Sequence, residues 1–123
     1  MSLAAIHSRL WITILLFSSV MLLWGLWRFL RGQTVNSNYF GAVVIAEILY
    51  ILQGVLGIIM LVSGSGVLQR AEVHILYGVV VAITLPGVYI YTRGDESRRT
   101  MLVYAVAFAF IIILSVRSMM TGG

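Results

Sequence analysis

Few side chains in this 123-residue chain can do chemistry, and most of them lie within or beside long apolar runs. His7 and His74 are its only histidines. His7 stands just before an apolar stretch that begins at Leu10, and His74 stands at the head of another, next to Ile75. Glu47, with Tyr50 and Gln53 close after it, interrupts a third stretch. Titratable groups in such surroundings are costly, which makes them the first place to look for function. Two imidazoles held face to face suit the axial positions of a haem b. A carboxyl inside a membrane suits proton acceptance, at a quinone pocket or in a proton path. Each has a plainer alternative. A histidine at a helix end can face lipid headgroups or bond to a neighbouring helix, and a lone histidine can hold a chlorophyll-type pigment. Glu47 and Gln53 can serve as interhelical hydrogen-bonding glue.

What must position these residues follows from composition. Hydrophobic residues make up 61% of the chain and charged residues 10%, with a mean hydropathy of +1.05. A soluble domain carries about a quarter charged residues, so a water-soluble globule is excluded. A span needs roughly 20 apolar residues to cross a hydrocarbon core of about 30 Å. Four runs meet that need, over about 10–30, 40–62, 73–91 and 101–116. They predict an all-α polytopic membrane protein forming one domain, with four transmembrane helices in an up-down-up-down bundle. The linkers are Gly32–Asn38, a breaker at Ser63–Gly66, and the charged turn Thr92–Arg99.

In that topology helices one and three run in the same direction and occupy a diagonal. His7 and His74 then lie at similar depth on one side of the membrane, within about one helical turn of 5.4 Å. Arg9 and Arg70 stand near them, each able to pair with a propionate. Gly78, one turn inside His74, would let a flat macrocycle approach the backbone. Trp11 and Ile14 continue the His7 face as an apolar wall. The level of the histidines is expected to meet helix two near Leu61, which puts Glu47 about 20 Å away.

The segments Ile6-His7-Ser8-Arg9-Leu10-Trp11 and Val73-His74-Ile75-Leu76-Tyr77-Gly78 resemble those of small four-helix membrane b-type cytochromes and of the four-helix halves of haem A synthase-like proteins. The resemblance implies axial ligation of one haem b by His7 and His74. Helices two and four carry no histidine, so a second bis-histidine site is not expected.

All eight basic residues are arginines, placed at the ends of the apolar runs, where arginine anchors to membrane lipid. They form no basic stripe interleaved with aromatics, so no nucleic-acid partner is expected. Arg28, Arg31, Arg93, Arg98 and Arg99 border loops one and three, against Arg9, Arg70 and Arg117 on the other side. This bias puts both termini on the outer side, in the plasma membrane of a prokaryote or an equivalent energy-transducing membrane. The absence of cysteine excludes thiolate zinc, iron–sulfur clusters and attached haem c. No nucleotide loop or nucleophile triad occurs, and independent catalysis is not expected. Three functions remain in view. One is a subunit of a respiratory or photosynthetic electron-transfer complex, carrying one haem b and packed among other membrane subunits. The second is a structural or assembly subunit without cofactor. The third is a small proton-coupled transporter using Glu47. Trp11, Trp24, Trp27, Tyr39, Tyr89 and Tyr91 are expected in an interfacial aromatic belt, and the methionines facing lipid.

Overall fold

The computed structural model describes residues 2–63 and 71–121, the side chains of 71, 72 and 121 excepted. Long apolar runs fold into helices because a helix satisfies its own backbone, which the hydrocarbon interior cannot do. Four helices result: α1 (Leu3–Leu30), α2 (Ser37–Ser63), α3 (Ala71–Thr92) and α4 (Arg98–Thr121). All four are long and apolar enough to cross a membrane. The chain is an all-α membrane protein, as its composition demands. The Gly64–Gly66 part of the second linker and Arg70 lie outside the described residues.

The helices outrun the apolar stretches because polar residues cap them. Ser2 starts α1 by accepting from the Ala5 amide at 3.1 Å. Asn36 does the same for α2, accepting from Tyr39 N at 2.8 Å. At 28 residues and 1.5 Å per residue α1 is about 42 Å long, against a hydrocarbon core of about 30 Å. His7 is therefore one turn inside α1, at the edge of the hydrocarbon, and not ahead of the helix.

Among the described residues each helix packs against two others in a ring. α1 touches α2 and α4, α3 touches α4 and α2, and neither diagonal pair is in contact. The α1–α4 interface is the most extensive and α2–α3 the least. α4 buries a continuous stripe through Met101, Tyr104, Ala105, Phe108, Ile111 and Ser115, whereas Leu85 is the one fully buried side chain among those described in α3. Ile75, Leu76, Val79, Ile83 and Ile90 of α3 are exposed apolar side chains, which lipid tolerates.

Tyr39 is the hub. It is 0% exposed, its hydroxyl donates to the Met21 carbonyl at 3.2 Å, and Trp24 and Tyr104 meet its ring edge-on at 5.0 and 6.2 Å. This corrects its expected place in the interfacial belt. Tyr39 falls in the first turn of α2, but that turn is folded against α1 and α4 and not against headgroups. Met21 and Met101 are likewise buried core residues and not lipid-facing filler. Their unbranched side chains fill the irregular space around Tyr39 and Gly25.

Loops one and three meet at the end of the bundle opposite the histidines. The Val35 amide donates to the Glu96 carbonyl at 3.1 Å, and the Arg98 guanidinium lies 4.1 Å over the Phe29 ring while donating to the Phe29 carbonyl at 2.8 Å. Gly32 and Gly94 both adopt φ +71°, the left-handed turn that lets the chain leave α1 and α3. Asp95 accepts from the Ser97 hydroxyl, from Thr100 Oγ1 at 2.7 Å and from the Ser97 amide at 3.1 Å. These bonds hold its carboxyl below the ordinary value of 3.8, the Ser97 hydroxyl contributing most.

Candidate functional site

His7 sits on α1 and His74 on α3, the two helices that face each other across the ring without touching. Their side chains close that gap: the ring centroids are 6.4 Å apart, with the planes tilted by 58°. The sequence expectation that the two imidazoles face each other at one depth matches this arrangement. Both are half-buried.

The surrounding helices fix each ring by a different device. His74 Nδ1 lies 3.0 Å from the Ser118 carbonyl oxygen in the last turns of α4. A carbonyl only accepts, so in this bond Nδ1 is the donor. The Ser118 hydroxyl is also near, at 3.3 Å. His7 is held through its backbone: Gln53 Nε2 of α2 donates to the His7 carbonyl at 2.8 Å. Its Nδ1 is buried without a hydrogen-bond partner, and a Cβ at Gly57 would lie 3.4 Å from its Cε1. Gly57 thus lets α2 come close to the ring.

Gln53 and Gly57 set the level at which α2 meets the histidines. The expected level near Leu61 is corrected, because His7 lies a turn inside α1. Ten residues separate Glu47 from Gly57, about 15 Å along the axis, and not the 20 Å expected.

Trp11 does not form an apolar wall beside His7. Its indole Nε1 donates to the Ser115 carbonyl at 2.8 Å, so it clamps α1 to α4. Ile14 is buried in the core as an apolar residue on that face. Arg9 is exposed at the surface beside the site, and Arg70 lies outside the described residues. Gly78 is exposed, and a Cβ there would meet nothing within 4 Å. Gly54 on α2 is equally open. Counting from the Phe40–Tyr89 ring contact at 5.6 Å, where the start of α2 meets the end of α3, the two glycines come level within about one turn.

Tyr50 is fully buried, its hydroxyl 2.6 Å from Ser18 Oγ across the α1–α2 interface. Glu47 is half-buried, and its Oε1 has no hydrogen-bond partner in the chain. Gln53 therefore acts as the interhelical bond expected of it, while Glu47 shows no such bond through Oε1. Ser18, Ser115 and Ser118 escape sequence reasoning. Ser18 is a hydroxyl mid-way along an apolar helix, a faint signal. The other two contribute a main-chain carbonyl, which every residue type carries.

Among the described residues no three His, Cys, Asp or Glu side chains gather to hold a metal ion. No protein-family model matches the chain, and no curated protein and no solved structure shows detectable similarity to it.

Proposed function

We propose that this chain is a small integral membrane subunit of an electron-transfer complex, respiratory or photosynthetic, that carries one haem b between His7 and His74. The observation that supports this reading is the imidazole pair itself, on helices that otherwise stand apart. An imidazole nitrogen binds a metal at about 2.0–2.1 Å, and rings whose centroids stand 6.4 Å apart could hold one metal between them. Two histidines are too few protein ligands for a bare transition ion, which ordinarily takes three or four. They suit an ion that brings its own equatorial nitrogens, and such a group supplies one-electron transfer when bound.

The chain's own groups fit that role. Ser118 holds His74 through Nδ1, the second-layer pattern that orients metal-ligating histidines. Gln53 and Trp11 pin the backbones that carry and flank His7, so the two rings keep their spacing. The open face of Gly78 leaves room inside the histidines for a flat ring. In this reading the outward apolar face of α3 meets other membrane subunits, with both termini on the outer side.

The test is an absorption spectrum of the gently solubilised protein, oxidised and dithionite-reduced, beside His7→Ala and His74→Ala. A reducible low-spin haem b spectrum that both variants lose is the expected result. A colourless protein, purified together with its natural partners, overturns the reading and leaves a structural helix bundle.

A further inference from the structure

Three buried side-chain atoms among the described residues have no hydrogen-bond partner: His7 Nδ1, Gln53 Oε1 and Glu47 Oε1. They are not scattered. Gln53 touches the backbone of His7, and Glu47 is six residues before Gln53 on the same helix. Buried polar atoms of native proteins are nearly always satisfied, by protein or by ordered water. Three orphans in one file therefore mark a place where water belongs. The α2 backbone is also open on this side. Gly54 is seven residues from Glu47, about 20° round α2 and two turns toward the histidines, and a Cβ on it would meet nothing within 4 Å. The Tyr50 and Ser18 hydroxyls supply polar lining between the two ends.

Glu47 has no countercharge. No Asp, Glu or Arg occurs in α1 from Leu10 to Trp27, in α3 from Ile75 to Thr92, or in α4 from Thr100 to Val116. The titratable groups on its own helix and on those packed against it include Tyr39 and Tyr50 on α2, His7 on α1, and His74, Tyr77 and Tyr89 on α3, with the histidines at the far end of the file. An acid so placed either keeps its proton or hands it to water.

We propose that Glu47 is a proton-exchange site in the membrane interior, served from the histidine end by water held along the α2 face that carries Tyr50, Gln53 and Gly54. On release the carboxyl O–H bond breaks, its electron pair stays on the carboxylate, and the proton passes to a neighbouring water as hydronium. Uptake is the reverse. This site does not depend on a haem between the histidines, so either reading can fail alone.

The chain's lack of cysteine makes the test direct. Glu47→Cys and Gly54→Cys are compared with Ile48→Cys and Ile51→Cys, two exposed apolar positions of α2, in the full chain in liposomes. A membrane-impermeant cationic methanethiosulfonate reacts with thiolate, which forms only where water reaches. The thiols at 47 and 54 are expected to react at least about tenfold faster than those at 48 and 51. Equal rates overturn the proposal. The unsubstituted protein gives a second readout that needs no altered packing. Its infrared spectrum should hold a protonated-carboxyl band that shifts promptly in heavy water and is missing in Glu47→Gln. A carboxyl band that stays unexchanged for hours, or that persists in Glu47→Gln, overturns it as well.

Discussion

Gly25→Ala gives the sharpest test of the packing described above. A Cβ on Gly25 would lie 2.8 Å from Tyr39 Oη, 3.3 Å from Ala105 Cβ and 3.4 Å from Met101 Cε, where α1, α2 and α4 converge. Tyr39 cannot simply step aside. It is 0% exposed, flanked by two aromatic rings, and its hydroxyl is bonded to the Met21 carbonyl. Overpacking of this kind costs about 1–3 kcal/mol. Loss of the tyrosine bond adds about 0.5–1.5 kcal/mol. Against this, alanine is better than glycine in a helix by about 0.8–1 kcal/mol. The net expectation is a destabilisation of about 0.5–3.5 kcal/mol. Gly41→Ala, where a Cβ meets nothing within 4 Å, is the control and should be neutral or slightly stabilising. Reversible unfolding in mixed micelles, followed by circular dichroism, reads both. Tyr39→Phe removes the oxygen that the new methyl meets, so the double variant should recover part of the loss. A Gly25→Ala protein as stable as the parent, or a double variant whose effects merely add, refutes the argument.

Other expectations follow from the same contacts. Ser18→Ala or Tyr50→Phe alone should cost about 0.5–1.5 kcal/mol, and the double variant less than their sum, because each single change strands a buried partner. A double-mutant cycle on unfolding free energies checks this. Trp11→Phe keeps the ring but loses the bond to the Ser115 carbonyl, so amide hydrogen exchange in the last turns of α4 should speed up while the loop end of the bundle is unchanged. The Asp95 carboxyl is held below its ordinary 3.8, so it binds its proton less readily folded than unfolded. Its contribution is present above pH 3.8 and is lost as pH falls through the lowered value. Thermal scans at stepped acid pH should show that loss in the parent and a flatter profile in Asp95→Asn.

The fold was legible because its cause is gross: apolar runs of sufficient length have one way to satisfy their backbones in lipid. The meeting of His7 and His74 was legible as well. With short connections, alternate helices must return to the same end, and one residue at the head of each comes level. Detail failed where it depends on how far a helix extends past its apolar run. Ser2 carried α1 about two turns further than hydropathy indicates, so that His7 is helical, and the histidine level on α2 falls at Gly57 and not at Leu61. Tyr39 failed for a related reason. Proximity to a helix end reads as an interfacial position, but loop one folds that end against α1 and α4. Nothing in the residue type distinguishes a tyrosine at a headgroup from one whose hydroxyl meets a carbonyl in the core.

Four of the bonds that hold the helices together share a feature with evolutionary consequences, in contrast to the side-chain pair Ser18–Tyr50. Trp11 to residue 115, Gln53 to residue 7, Tyr39 to residue 21 and Arg98 to residue 29 all end on main-chain carbonyls. The donor side chain is specified, but any amino acid at the receiving position supplies the oxygen. Substitution at 21, 29 or 115 can proceed without breaking its clamp, provided packing is kept, and no compensating change is called for at 39, 98 or 11. Descendants of one ancestor could then keep this bundle while pairwise covariation at these four contacts stays silent. Only the donors would carry the inherited imprint.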